Sequence, residues 1–258
     1  MKKFIYLMAM VCTLGFTACG SDDDDNTPAK RLEAIEGTWN VQEANMDPNT
    51  YEMTGGSVKT NWEGDETKAV FKNFMGSGED YPLKSALAMV SMLGNSQLPN
   101  VLKSVTFTAD GKITALYKEA ASTEANAAAS DWKVAEGYAT YTVENESLIY
   151  VTLNASKVTE GIKDAQQKPM IEGILKKYTK IPVHISWDAT KTKPFFYVDK
   201  AFVQPMIANL VAIISNVPPT GMDEEEKANF EKVKDIAVQL PTIMDATTKL
   251  ELGLELTK

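Results

Sequence analysis

Short runs of alternating apolar and polar residues recur along the chain, separated by Gly, Pro and Asx positions. A period of two is the pattern of strands with one buried face. The strictest run is C-terminal, where Leu250, Leu252, Leu254 and Leu256 alternate with Glu251, Gly253 and Glu255. The best-marked hairpin runs from Val101 to Thr108, turns at Ala109-Asp110-Gly111 and returns from Lys112 to Lys118; Asp-Gly between alternating runs is a strong turn signal. Asp131–Val134 and Gly137–Val143 are predicted strands, the latter paired with Leu148–Leu153 across Glu144–Ser147. Val183–Trp187 and Phe195–Val198 form a third hairpin. Upstream, one helical turn over Leu32–Ile35 leads into a strand over Thr38–Ala44, and Asp47-Pro48-Asn49 turns the chain. A second strand over Tyr51–Trp62 is interrupted at Gly55-Gly56, which predicts a bulge or tight bend, and Ala69–Phe71 is a short strand.

The period changes to three and four in helical insertions near 82–95, 156–180 and 202–241. In the first, Leu83, Ala86, Leu87, Val90 and Leu93 share a face, and Gly94-Asn95 is the predicted stop. The second is broken at Pro169 and carries Met170, Ile174 and Tyr178 on one stripe. In the third, Pro205–Ser215 is apolar around most of its circumference, so it is either deeply buried or covers something apolar. A second helix follows, with capping-box spacing from Asp223 to Glu226, a stripe of Phe230, Val233, Ile236 and Leu240, and a predicted stop at Pro241. The alanine-rich stretch from Glu119 to Ser130 reads as a surface connection.

Strands joined by tight hairpins imply an antiparallel sheet with one buried face. About ten of them are too many for a flat open sheet, and closure removes exposed edges. The expected fold class is therefore mainly β with helical insertions (α+β), an antiparallel barrel spanning residues 32–258.

The first 31 residues follow another pattern. Lys2 and Lys3 precede an uncharged apolar run from Phe4 to Phe16, which is shorter than the roughly 20 residues of a membrane-spanning helix and suits a signal peptide. Small residues lead to Cys19, and Ser21, Asp22, Asp23, Asp24 and Asp25 follow it. The residues before Cys19 resemble a bacterial lipobox, although Phe16 stands where Leu is more usual. Ser21 with Asp22–Asp24 resembles the surface-export signal of Bacteroidetes-type lipoproteins. The resemblance implies a signal peptide over 1–18, lipidation of Cys19, an acidic flexible tether over 19–31, and an outer-membrane, lipid-anchored protein facing the cell exterior. The aspartates also serve as a solvated spacer.

Composition narrows the chemistry. Loss of Lys2 and Lys3 takes the formal net charge from −9 to −11, which disfavours nucleic acid and anionic surfaces. Arg31 is the only arginine, and the two cysteines are Cys12 in the signal and Cys19. The folded domain therefore has no disulfide, thiol nucleophile or cysteine metal ligand. His184, the only histidine, lies opposite Val183, Ile185 and Trp187 on its strand and reads as a polar-face residue. No catalytic, metal-binding or cofactor motif is present. No enzyme, metal or cofactor is expected.

Gly37-x-Trp39 at the start of a secreted meander of hairpins resembles the opening of lipocalins and the wider calycin group. The combination with a lipobox and acidic tether most resembles the calycin-like (lipocalin-like) lipoproteins of Bacteroidetes. The resemblance implies that Trp39 closes the barrel base and Gly37 admits it. Lipocalins usually stack a late arginine on that tryptophan; with no arginine after Arg31, Lys249 on the last strand is the expected substitute. The leading functional expectation is a surface binding protein whose barrel holds a small apolar or amphiphilic ligand, with Met206, Ile207, Leu210, Val211 and Ile214 as its lid. The alternative is a structural or interaction lipoprotein with a solid-packed barrel, binding a surface glycan or belonging to an outer-membrane complex. Trp62, Trp132 and Trp187 are candidates for a sugar-stacking platform or for core packing. Replacing Cys19 by Ala should move the protein from the membrane to the soluble fraction and abolish radiolabelled fatty-acid incorporation; continued membrane attachment would overturn the anchoring expectation.

Overall fold

The structure is a computed structural model that describes residues 31–46, 53–118, 131–160, 168, 172–173, 175–176, 178–216 and 223–258. Cys19, Ser21 and Asp22–Asp24 lie outside the described residues, as do the Asp47-Pro48-Asn49 turn, the Glu119–Ser130 connection and Pro169, Met170 and Ile174.

The strands are β1 (Gly37–Asn40), β2 (Ala44–Met46), β3 (Met53–Gly55), β4 (Val58–Gly64), β5 (Val70–Phe71), β6 (Tyr81–Pro82), β7 (Leu102–Phe107), β8 (Lys112–Tyr117), β9 (Lys133–Asn145), β10 (Leu148–Leu153), β11 (Ile181–Trp187), β12 (Pro194–Asp199) and β13 (Thr247–Glu255). Nine form one sheet in the order β1-β7-β8-β9-β10-β11-β12-β13-β4, and β2-β3 and β5-β6 form small ribbons. Every pairing in the large sheet is antiparallel. The sheet curls into a half-barrel. Its first strand meets the end of the chain at Asn40, which exchanges backbone hydrogen bonds of 2.6 and 3.1 Å with Thr257. Fuller contact is blocked because β4 already occupies that edge of β13 from Thr247 to Leu254.

The inward face carries the main core: Trp39, Val105, Phe107, Ile113, Tyr141, Ile149, Val151, Val183, Ile185, Phe196, Leu254 and Leu256, all nearly or fully buried. Strict alternation in β10 and β11 puts every second residue there. Phe107 stacks on Phe196 at 5.0 Å and meets Tyr141 edge-on at 5.4 Å. Gly253 is required where β12 and β13 approach, since a Cβ there would collide with the Phe196 carbonyl oxygen.

The helices whose bounds fall within the described residues are α1 (Leu83–Val101), the short α2 (Ala155–Val158), α3 (Lys200–Asn216) and α4 (Glu224–Asp245). Three differ in extent from the sequence expectation, and α3 begins at Lys200 rather than at Pro205, which lies inside it. Gly94-Asn95 does not stop α1, which continues to Val101. Gly94 lets the helix approach β4, where an added Cβ would lie 3.0 Å from Val58. Asn95 accepts from the Val58 N–H at 2.6 Å and donates to the Val58 carbonyl at 2.9 Å, so its amide is spent on β4 rather than on a helix cap. Pro241 does not stop α4, which runs on to Asp245 because Ile243 and Met244 in its last turn are almost fully buried. The capping box is formed: Asp223 accepts from the Glu226 N–H at 2.8 Å and Glu226 accepts from the Asp223 N–H at 3.3 Å. Of the two strands expected over Asp131–Val134 and Gly137–Val143, Asp131 and Trp132 lie outside β9, and the rest joins that one long strand, with Gly137 at φ 71°. No described helix is long and apolar enough to cross a membrane.

Tyr141 shows what burial costs at high pH. Its hydroxyl donates to the Thr108 carbonyl at 2.8 Å, and burial, more than the nearby Glu36 charge, raises its pKa to about 12. A tyrosine in the unfolded chain titrates near 10. The folded state therefore keeps its proton longer, and this stabilisation is intact below about pH 10 and lost as pH rises through about 12. Ultraviolet titration should find one phenolate forming near pH 12, absent in Tyr141→Phe.

Candidate functional site

The base of the half-barrel is built on the turn that precedes β1. Ile35 N–H donates to the Leu32 carbonyl at 3.0 Å, closing one helical turn. That turn aims the Ile35 carbonyl inward, where the Trp39 indole N–H donates to it at 2.6 Å. Trp39 is 1% exposed, and Trp187 meets it edge-on at 5.9 Å. A cation also lies over the indole, but it is Lys258, whose Nζ is 4.8 Å from the ring centroid. Lys249 is not that residue. Its position alternates with the inward leucines, and its ammonium instead pairs with Glu251 at 3.1 Å and Glu63 at 3.9 Å. The hydrogen bond to Glu251 is the main reason its pKa is raised. Parity along the strand identifies Lys258: it continues the even-numbered series of Leu250 to Leu256.

The expected lid residues sit at the other end of β13. Ile207 is buried with Val203, Met244 and Leu250, with Val211 and Leu252 packed alongside. Ile214 is buried with Phe230 and Ala237 of α4, with Leu210 and Val211 against them. Met206 is half-buried. Leu250 and Leu252 share their face of β13 with Leu254 and Leu256, so α3 and α4 cover the far part of the same inward surface. Among the described residues, buried side chains line that surface from Trp39 to the helical cap.

The three candidate tryptophans are dispersed. Trp187 packs on Trp39, Trp132 lies under the Lys118 ammonium at 4.7 Å, and Trp62 donates its N–H to Thr247 Oγ1 at 3.0 Å. They form no common platform.

Two small recesses are lined by described residues. One, about 200 Å³, is lined by His184, Tyr197, Asp199, Lys200, Thr248, Lys249, Leu250 and Glu251. His184 stacks on its cross-strand partner Tyr197 at 5.3 Å, and its Nε2 lies 3.5 Å from Asp199 Oδ2. Phe195 stacks on the same Tyr197 at 4.9 Å, so the tyrosine ring is flanked on both sides. Burial, then the Glu251 charge, raises the Tyr197 pKa. Lys200 donates its ammonium to the Thr247 carbonyl at 2.5 Å. These groups are committed to one another. The second recess, about 160 Å³, is lined by Trp62, Glu66, Ala69, Pro82, Lys84 and Ser85. Among the described residues no three His, Cys, Asp or Glu side chains converge on a metal position.

Comparison with known family models, with curated proteins and with solved structures finds no match to this chain. Trp39→Ala should cost about 3–5 kcal/mol, as expected for an excised core aromatic. Lys258→Ala should cost no more than about 1 kcal/mol, the range of a solvent-facing cation–π contact. Urea titration of both variants checks the ranking, and equal losses would refute it.

Proposed function

We propose that the chain is a lipid-anchored cell-surface lipoprotein whose calycin-like half-barrel is packed solid and acts as an interaction module. The observation that carries this reading is the row of buried side chains along the inward face. Trp39, Phe107, Tyr141 and Phe196 occupy its middle, and Ile207 and Met244 cover its far end. A carrier of apolar ligands needs vacant apolar volume, and pockets for such ligands measure about 300–1,000 Å³. Two recesses lined by described residues are smaller, about 160 and 200 Å³. This favours the interaction module over the ligand-holding barrel.

The calycin-like assignment is supported by the helical turn before β1, by Gly37-x-Trp39 and by the cation over the indole. Surface attachment rests on Cys19 and on Ser21 with Asp22–Asp24. The thirteen residues 19–31 span at most about 45 Å when extended, which keeps the domain close to the membrane. Recognition is by binding and not by catalysis, and its partners are surface glycans or outer-membrane proteins. Cross-linking on intact cells followed by detergent capture should recover a stoichiometric surface partner, and organic extraction of the purified protein should release no lipid beyond the N-terminal anchor. A stoichiometric apolar molecule in the extract, with no partner captured, would reverse the preference.

A further inference from the structure

We propose that the recess beside Trp62 is a subsite for one neutral pyranose ring of a carbohydrate. This deepens the interaction reading above and rests on it only in taking recognition to be by binding.

The floor is apolar and rigid. Trp62 packs against the cluster of Ala69, Phe71, Leu83 and Ile243 on one side and that of Val203, Met244 and Leu250 on another. Its N–H is spent on Thr247 Oγ1 at 3.0 Å, so the ring offers a visitor only carbon surface. Pro82, which is exposed, extends that surface. Gly64 helps to set the ring, because a Cβ there would come within 2.8 Å of the indole Cζ2.

The rim is polar and loosely held. Lys84 Nζ lies 2.9 Å from Glu66 Oε1, and the two side chains are 67% and 62% exposed. An ion pair so open to solvent contributes little and exchanges readily for other partners. It supplies ammonium donors and carboxylate acceptors, with the Ser85 hydroxyl able to do both.

Size and charge select the ligand. A recess of about 160 Å³ holds one ring and not an acyl chain or a drug-sized molecule. Glu66 opposes an anion and Lys84 opposes a cation, whereas a neutral ring meets both favourably. A pyranose has an apolar C–H face suited to the indole and adjacent hydroxyls that both donate and accept at its edge. An aromatic ring would use the floor and leave the rim unpaired.

The test uses the full-length chain in detergent with the methyl glycosides of glucose, galactose, mannose and N-acetylglucosamine, and phenol as the aromatic alternative. At least one glycoside should bind saturably in the millimolar range, with saturation-transfer NMR marking its ring C–H protons. The double variant Glu66→Ala, Lys84→Ala should melt like the parent and lose about tenfold or more in affinity. Trp62→Phe, which keeps an aromatic in the packing, should also weaken binding. No binding by any of the four glycosides, binding undiminished in the rim variant, or tighter binding of phenol overturns the assignment. Capture of a protein partner is a separate measurement, so failure here leaves the interaction reading standing.

Discussion

The Trp39 indole is gripped by the Ile35 carbonyl, the Trp187 ring edge and the Lys258 ammonium, and the packing of the half-barrel depends on that grip. These contacts come from the turn before β1, from β11 and from the last residue of the chain. They tie together segments separated by most of the sequence. With no cysteine beyond Cys19, no covalent bond shares the task. Burial of a large aromatic with its single polar atom satisfied is an efficient substitute, because an orphaned indole N–H would carry a desolvation cost.

From that base the core extends in one direction. The rings of Phe107, Tyr141 and Phe196 fill the middle, and the inward leucines of β13 continue it under α3 and α4. Helices that would be insertions in a plain meander are therefore part of the packing. The β4 strand has the same double role. By pairing along β13 it prevents β1 from zipping the sheet shut, and it carries Trp62 to the junction of the sheet, α1 and α4. The recess beside Trp62 forms at such a junction, where elements of different kinds meet imperfectly.

Features set by local chemistry were legible in the sequence. The Ala109-Asp110-Gly111 hairpin, the Asp223–Glu226 capping box and the C-terminal leucine alternation all depend on neighbours in the chain, and each appears in the fold. Features set by distant packing were not. Gly94 and Asn95 look like a helix end because their usual roles are local, yet here the glycine makes room for Val58 and the amide binds its backbone. Pro241 is tolerated because the burial of Ile243 and Met244 outweighs the missing hydrogen bond. The choice between Lys249 and Lys258 was decidable by parity alone, since odd positions on β13 face away from the indole. The grouping of Trp62, Pro82, Glu66 and Lys84 had no sequence signal. It arises only when β4 and the start of α1 are brought side by side.

Asn95 has a further consequence. Its carboxamide presents one donor and one acceptor to Val58, as the backbone of an adjoining strand would. A half-barrel that fails to close leaves an edge able to recruit extended segments from other molecules. One side chain on a covering helix acts as a counterfeit strand end and denies a newcomer its first pair of hydrogen bonds.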